Sequence, residues 1–125
     1  MGIIKSYKEL IVWQKSIKLV KEIFLLTEKF PKSELYGITS QMRRSAVAIP
    51  SNITEGFGRN SLGYSIQFYS IAYGSALELE TQLLISRELK LEKESSFNHC
   101  ENLLEEVCKM LNVMTSKMKR LSLNS

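Results

Sequence analysis

The stretch from residue 36 to residue 59, YGITSQMRRSAVAIPSNITEGFGR, combines a helical apolar pattern, a proline and two closing glycines. On a helix of 3.6 residues per turn, one face carries the apolar residues Ile38, Met42, Ile49 and Ile53. The adjoining edge carries a row of small, uncharged residues that we call the polar stripe: Gln41, Ser45, Ala48 and Asn52. Buried polar groups need hydrogen-bond partners, so the stripe should pair with other helices or with a second copy of the chain.

A proline and two glycines shape the end of this helix. Pro50 lacks a backbone N–H and crowds the carbonyl of Ala46, which costs about 3 kcal/mol in an ordinary helix interior. We therefore expect a kink there. Gly56 and Gly58 predict the end of the helix, because glycine enters the left-handed C-cap conformation without a Cβ penalty.

The rest of the chain is typical of long helices. Only two prolines and six glycines interrupt it, and all 13 acidic residues are Glu, a better helix former than Asp. Its 125 residues fit a single domain, residues 1–125. No signal peptide is evident, and no apolar run approaches the roughly 20 residues of a membrane span. We therefore expect a soluble cytoplasmic protein without a membrane partner.

Two cysteines, Cys100 and Cys108, lie two turns apart within one helical pattern. At a rise of about 1.5 Å per residue their Cα atoms are too far apart for a disulfide. They should be buried or half-buried free thiols of a reducing compartment.

Apolar periodicity predicts four helices, at about residues 7–29, 35–56, 62–89 and 96–121. Serines and an asparagine before them are candidate N-caps: Ser6, Ser33, Asn60 or Ser61, and Ser95 or Ser96. Four helices joined by short turns predict an all-α fold, an antiparallel up-down-up-down four-helix bundle whose second helix is kinked at Pro50.

The first and fourth helices have recognisable apolar seams. We expect the first helix to pack through Leu10, Trp13, Ile17, Val20 and Phe24. It has a second apolar stripe, Val12, Leu19, Ile23 and Leu26, so more than one side of this helix should be covered. The fourth has the cleanest seam of the chain: Phe97, Cys100, Leu104, Val107, Leu111, Met114, Met118 and Leu121.

The third helix is apolar almost all round, so part of its surface should meet another subunit. A patch of small residues that includes Gly74 and Ser75 would let a neighbouring helix approach closely. Gly74 costs about 1 kcal/mol relative to Ala in a helix, which indicates that packing requires it.

The net charge of +4 divides into +5 for residues 1–60 and −1 for residues 61–125. This mild basic bias fits nucleic acid and equally fits an ordinary surface. The candidate nucleic-acid contacts are Lys15, Lys18, Lys117, Lys119 and Arg120. The lysines of the first helix can equally form a solvated face, and the C-terminal cluster can simply complement the helix dipole.

Two glutamates of the third helix, Glu78 and Glu80, follow apolar and small residues. They are either exposed charges or partners of Arg43 or Arg44 near the edge of the core.

No catalytic or metal-binding constellation is evident. His99 and Cys100 are adjacent on a helix, so their side chains diverge by about 100°. No Glu lies three residues before His99, as a di-iron bundle needs, and the chain has too few Cys and His for a zinc site. GFGRNSLG, residues 56–63, follows a helix and lacks the lysine of a P-loop. We expect no cofactor, no metal and no enzymatic activity.

Three segments carry a family resemblance: LIVWQKSIKLV, LYGITSQMRRSAVAIPSNITEGFGR and FYSIAYGSALELETQL. They resemble the bacterial four-helix-bundle family named for reading frames in intervening sequences of the 23S rRNA gene, sometimes labelled a ribosomal protein. The likeness covers about residues 6–120. Its pattern includes Trp13, Gln14, Gln41, Arg43, Arg44, Pro50, Asn52, Glu55, Gly56, Gly74, Ser75, Glu78 and Glu80.

The resemblance implies a subunit of a barrel-like homopentamer in a family without established enzymatic activity. A related branch, the accessory variability protein of diversity-generating retroelements, forms a basic pentamer that binds nucleic acid and a reverse transcriptase. The resemblance therefore implies three kinds of partner: other copies of the chain, RNA or DNA, and a reverse transcriptase or other protein. The ribosomal label reflects where such genes were found and implies no ribosome membership.

Two functions follow from these observations. The first is a non-enzymatic, homo-oligomeric nucleic-acid-binding protein, because five copies at +4 give about +20 per assembly. The alternative is a scaffold that binds a polymerase or nuclease without touching nucleic acid. The role of Arg43 and Arg44 distinguishes these two functions. As internal partners of Glu55, Glu78 or Glu80, the two arginines stabilise the fold, and this is the role we favour. As phosphate contacts, they would instead support nucleic-acid binding.

Overall fold

The computed structural model describes residues 3–124, which contain four α-helices and no β-strand. The helices are α1 (Ile11–Glu28), α2 (Ser40–Phe57), α3 (Leu62–Glu88) and α4 (Asn98–Leu123). Each packs on two neighbours, since α1 and α3 both contact α2 and α4. The arrangement is a four-helix bundle. None of the helices within residues 3–124 is both long and apolar enough to span a membrane.

Two of the predicted caps form. The Ser6 side chain accepts a hydrogen bond from the Lys8 amide, and the Glu9 carboxylate accepts one from the Ser6 amide, which makes a capping box. This box starts a 3₁₀ turn, Tyr7–Glu9, so α1 itself begins later, at Ile11. Ser61, rather than Asn60, caps α3 by accepting from the amide of Tyr64 at 3.1 Å.

The start of α2 differs from the prediction. Lys32–Glu34 form a 3₁₀ turn and Leu35–Thr39 a π-helical turn, in which Gly37 is non-helical with φ −111° and ψ −117°. The regular helix therefore begins at Ser40, and Ser33 does not cap it. The fourth helix starts in the same way, after a 3₁₀ turn at Glu94–Ser96, without a cap from Ser95 or Ser96.

The end of α2 does not use a left-handed glycine. Gly58 is the C-cap with φ −80°, and no glycine within residues 3–124 has positive φ. Gly56 is instead required by packing: a Cβ built on it would lie 2.7 Å from Cε1 of Tyr69. The Ser65 hydroxyl donates to the Gly56 carbonyl at 2.8 Å, so α3 lies directly against this turn of α2.

The core selects the other stripe of α1. The residues of this stripe, Val12, Leu19, Ile23 and Leu26, are buried. Of the expected seam, Leu10, Trp13 and Val20 are half-buried against the core, whereas Ile17 and Phe24 are exposed. Buried polar residues on the core side bond to their own helix, as Thr27 does by donating to the Ile23 carbonyl at 2.7 Å. Both stripes have helical periodicity, so only the positions of the other helices decide which one is covered.

The seam of α4 is confirmed over most of its length. Its first five residues are buried: Phe97, Cys100, Leu104, Val107 and Leu111. Met114 and Met118 are half-buried, and Leu121 is exposed beyond the end of the core. On α2, Met42, Ile49 and Ile53 are fully buried as predicted.

Candidate basic end and exposed apolar surfaces

Helix α1 lies against α4. The Lys15 ammonium pairs with the Glu106 carboxylate at 2.5 Å, and Nε2 of His99 lies 3.5 Å from the Glu22 carboxylate. Residues 3–20 and 107–124 together carry eight Lys or Arg and a single Glu, a net charge of +7 in a chain of net +4. We call these two segments the basic end. The basic end is not visible as one cluster in the sequence, because its two segments are nearly 90 residues apart.

All five predicted nucleic-acid residues belong to the basic end, but they do not form one row. Lys15 is half-buried and occupied by Glu106, while Lys18, Lys117, Lys119 and Arg120 are exposed. Lys117 and Lys119 are two residues apart on α4 and therefore point about 200° apart. The positive charge thus surrounds the end of the bundle.

Few acidic groups neutralise the basic end. Its one carboxylate, Glu9, accepts hydrogen bonds from the backbone amides of Lys5 and Ser6. Lys109 pairs with Glu105 at 3.0 Å. Six other cations make no ion pair within the part of the chain that the structure describes: Lys5, Lys8, Lys18, Lys117, Lys119 and Arg120.

An apolar groove of about 560 Å³ lies between the start of α1 and the second half of α4. We call it the α1/α4 groove. Lys109 and Lys117 line it together with apolar side chains that include Ile4, Ile11, Met110, Val113 and Met114. Sequence analysis missed this groove. Its only signal is the apolar character of Ile11 and Val113 outside the predicted seams.

A second, smaller groove of about 270 Å³ lies between α1 and α2. It uses the α1 stripe that was expected to face the core, including Trp13, Ile17 and Val20, together with Val47 and Pro50 of α2. The Trp13 indole N–H donates to the Thr54 hydroxyl at 3.1 Å, which fixes the ring at the edge of this groove.

The outer surface of α3 changes character along its length. Residues 62–77 contain no charged side chain, although Tyr64, Ile71 and Leu77 are exposed. The expectation that Gly74 is required by packing fails within the chain, because a Cβ there meets nothing within 4 Å. Further along, four exposed apolar residues run between exposed glutamates: Leu77, Leu84, Ile85 and Leu89 with Glu78, Glu80 and Glu88.

The polar side chains of the polar stripe find their hydrogen-bond partners in two ways. Buried Ser45 donates to the Glu78 carboxylate of α3 at 2.8 Å, and Asn52 donates to the Ala48 carbonyl of its own helix at 2.8 Å. Gln41 is exposed and lines a polar pocket of about 350 Å³ with Arg44, Ser45, Glu78 and Gln82. Oε1 of Gln82 is buried there without a hydrogen-bond partner.

The arginines of α2 do not pair with the predicted glutamates. No ion pair within residues 3–124 joins Arg43 or Arg44 to Glu55, Glu78 or Glu80. Arg43 instead donates from Nε to the Thr27 hydroxyl at 3.0 Å and stacks 4.7 Å from the Phe24 ring. Glu55 pairs at 2.8 Å with Arg59, which lies just beyond the end of α2. A neutral hydroxyl and a ring satisfy Arg43 without burying an ion pair.

The remaining titratable groups resemble no catalytic site. Burial raises the pKa of Cys100 to about 12 and that of Cys108 to about 11, so both thiols are protonated at neutral pH. Both cysteines are free, as predicted. The Lys15 ammonium lowers the pKa of Glu106 through a hydrogen bond. Within residues 3–124, no group of three or more His, Cys, Asp and Glu side chains could hold a metal ion.

These features define a class of protein: an all-helical bundle with one strongly basic end and exposed apolar surfaces on several helices. The model of one family, the 23S rRNA-intervening sequence proteins, matches residues 8–113. The chain therefore belongs to the 23S rRNA-intervening sequence protein family.

One solved structure supports the same fold. It is a protein of unknown function from the S23 ribosomal protein family of Bacteroides thetaiotaomicron VPI-5482. The two chains align with a TM-score of 0.78 and 23% sequence identity, over 84% of this chain and 98% of the other. No curated protein matches the chain.

Proposed function

We propose that this protein is a non-enzymatic homo-oligomer that binds nucleic acid through its basic end. The observation that supports this most directly is the net charge of +7 that residues 3–20 and 107–124 bring to one end of the bundle. Six of the cations there make no ion pair within residues 3–124 and remain available to phosphates. Lysine and arginine that neutralise phosphates release counterions, which drives sequence-independent binding.

The proposed contact is to the phosphate backbone rather than to the bases. Stacking on bases requires free aromatic faces. The two aromatic rings of the basic end, Tyr7 and Trp13, contact each other edge to face at 5.3 Å and are half-buried. Backbone contacts position a protein on nucleic acid without reading its sequence. We therefore infer binding to RNA or DNA with little sequence preference.

The oligomer is proposed from the exposed apolar surfaces. Isolated apolar side chains on a surface are ordinary, whereas contiguous ones mark contact sites. The uncharged face of α3 and both grooves are surfaces of this kind. The number five rests on the family resemblance, and five copies would carry about +20 in total. We further propose a cytoplasmic location.

We also infer two finer features of the bundle. Trp13 contacts Thr54, and Thr27 contacts Arg43. These contacts support an antiparallel course of α1 and α2, because the residue number on α2 falls as the residue number on α1 rises. The pairs Lys15–Glu106 and Glu22–His99 support the same course for α1 and α4. A kink at Pro50, which lies inside α2, remains a prediction from its missing N–H.

The test is a titration of the purified protein against labelled duplex DNA and structured RNA, between about 50 and 200 mM salt. We expect affinity to fall steeply with salt. The double variant Lys119→Ala with Arg120→Ala should weaken binding to both probes. It should also make the slope of log affinity against log salt less steep, by about one for each phosphate that the variant no longer neutralises. Lys29→Ala with Lys32→Ala removes the same charge outside the basic end and is the matched control.

Absence of binding at the lowest salt concentration would overturn the nucleic-acid proposal. Equal losses from the two double variants would show a general charge effect rather than a site at the basic end.

The second candidate function is a scaffold for a protein partner such as a reverse transcriptase or nuclease. The α1/α4 groove favours it, because apolar side chains there stand between lysines. The variant Val113→Glu would separate the candidates. It should abolish capture of a reverse transcriptase if that protein binds this groove, whereas Lys119→Ala with Arg120→Ala, which leaves the groove intact, should not.

A further inference from the structure

The α1/α4 groove needs an apolar occupant with negative charge at its edges. Ile11 and Val113 are 59% and 62% exposed, far more than the core positions of the same helices. Lys109 and Lys117 line the same groove. Lys117 makes no ion pair within residues 3–124, and Lys109 pairs only with Glu105 on its own helix.

The second half of α3 has the opposite character. Its outer surface exposes Leu77, Leu84, Ile85 and Leu89, with Glu78, Glu80 and Glu88 among them. We call these residues the α3 ridge. Glu80 and Glu88 are exposed and make no ion pair in the described part of the chain. Apolar side chains set among glutamates are the chemistry that a lysine-lined apolar groove accepts.

The ridge and the groove of one chain cannot meet. The groove lies between α1 and α4, whereas α3 packs on α2 and α4 and is diagonal to α1. The ridge lies on the exposed side of α3, since Leu79, Leu83 and Ser86 of the same segment are buried. Glu78 stands at its edge, where it accepts a hydrogen bond from Ser45 of α2. A ridge can therefore fill a groove only on a second copy.

We propose that the α3 ridge of one copy docks in the α1/α4 groove of the next. This inference rests on the proposed homo-oligomer and names the two surfaces that join its subunits. Because the surfaces differ, the contact is heterologous, and each copy offers one free ridge and one free groove. Such a contact propagates head to tail and ends only when a ring closes.

The docking divides the basic end between two roles. Lys117 and Lys109 face the glutamates of the neighbouring ridge, while Lys18, Lys119 and Arg120 stay available to phosphate. A variant of Lys119 and Arg120 can then weaken nucleic-acid binding without dissociating the assembly.

Charge reversal tests the pairing. The groove variant carries Lys109→Glu and Lys117→Glu, and the ridge variant carries Glu80→Lys and Glu88→Lys. Sedimentation and light scattering compare the mass of each variant's assembly with that of the wild-type chain. We expect each to raise the dissociation constant of the assembly by about tenfold or more, because like charges then oppose each other across the contact. Lys29→Glu with Lys32→Glu is the matched control and should assemble normally.

Restoration is the decisive result. A chain that carries all four reversals has an acidic groove and a basic ridge, so it should assemble again. In an equimolar mixture the groove and ridge variants should also associate with each other, because each then offers the surface that the other lacks. They must alternate, so the mixture should form chains or rings with an even number of copies. Circular dichroism melts check that every variant is folded before its mass is interpreted.

Two results would overturn the docking. If the groove and ridge variants retain the wild-type mass, the homo-oligomer stands and its interface lies elsewhere. If both dissociate and the fourfold variant and the mixture stay dissociated although folded, the two surfaces do not pair. A wild-type chain that is monomeric at every concentration would overturn the proposed homo-oligomer together with this inference.

Discussion

Gly56 and Gly74 both lie inside helices, where glycine costs about 1 kcal/mol relative to alanine. At Gly56 the ring of Tyr69 occupies the space that a side chain would need, so close packing of α3 on α2 accounts for the glycine. At Gly74 the space is open. Glycine therefore serves packing within the chain at position 56, whereas at position 74 it lies on the exposed, uncharged outer surface of α3.

We expect Gly56→Ala to destabilise the fold by about 1–3 kcal/mol, because the new methyl group overlaps the Tyr69 ring. Urea unfolding followed by circular dichroism measures this. Gly74→Ala is the control and should raise the free energy of unfolding by up to about 1 kcal/mol through helix propensity alone. Equal effects of the two substitutions would contradict the packing role of Gly56.

The two cysteines give a second prediction at this scale. Burial raises the pKa of both thiols, to about 12 for Cys100 and about 11 for Cys108. At pH 7.5 the native thiolate fraction should be lower than in the unfolded chain by a factor of about 100 or more, and thiol modification correspondingly slower. Ellman's reagent in buffer and in guanidinium chloride measures the two rates. Rapid native modification would contradict the burial of these groups.

The same shifts predict how stability depends on pH. The folded chain holds these protons more tightly than the unfolded chain, so the stabilisation is complete below about pH 9 and is lost as pH rises toward the folded values. The double variant Cys100→Ala with Cys108→Ala should therefore lose stability less steeply than the wild type between about pH 9 and 11. Chemical unfolding at several pH values measures the two slopes, and identical slopes would contradict the prediction.

At the scale of the element, α1 has two apolar stripes, and the packing of the other helices decides which one is buried. The buried stripe contains Leu19 and Ile23, each fully inaccessible. The other stripe lines the groove between α1 and α2 and includes Ile17 and Val20. Half-buried Arg43 stacks on Phe24 at the end of that outer stripe and donates to Thr27, so an arginine covers apolar surface where two helices meet.

Alanine substitutions separate the two stripes. Leu19→Ala should cost about 2–5 kcal/mol, because it leaves a cavity in the core. Ile17→Ala should change the free energy of unfolding by less than about 1 kcal/mol, since its side chain is already exposed. Urea unfolding at low protein concentration, where subunit contacts do not contribute, gives both values. A larger loss from Ile17→Ala would indicate that the outer stripe faces the core.

At the scale of the whole molecule, charge is distributed along the bundle. The basic end carries a net +7, so the rest of the chain carries a net −3. Copies that assemble head to tail through opposite charges would present several basic ends to one nucleic acid. Binding should then depend on assembly, because linked sites act at high effective concentration.

We expect Leu84→Gln, which removes an exposed apolar side chain of the ridge without changing charge, to weaken assembly and to reduce the salt dependence of nucleic-acid binding. The slope of log affinity against log salt measures this, because it counts the phosphates neutralised by each bound unit. Leu123→Gln, an exposed leucine outside the ridge and the groove, is the control. An unchanged slope in a dissociated variant would show that single subunits bind on their own.

The sequence by itself determined the helical class, the four helices to within a few residues except at the start of α2, the caps at Ser6 and Ser61, and the seam of α4. These depend on periodicity and on side chains that bond to nearby backbone, so the information is local. The tertiary structure alone decided which stripe of α1 is buried, why Gly56 must be glycine, and that Arg43 meets Thr27 rather than a glutamate. It also brought residues 3–20 against residues 107–124 and so created the basic end. These outcomes depend on contacts between residues far apart in the chain, which become fixed only when the four helices pack.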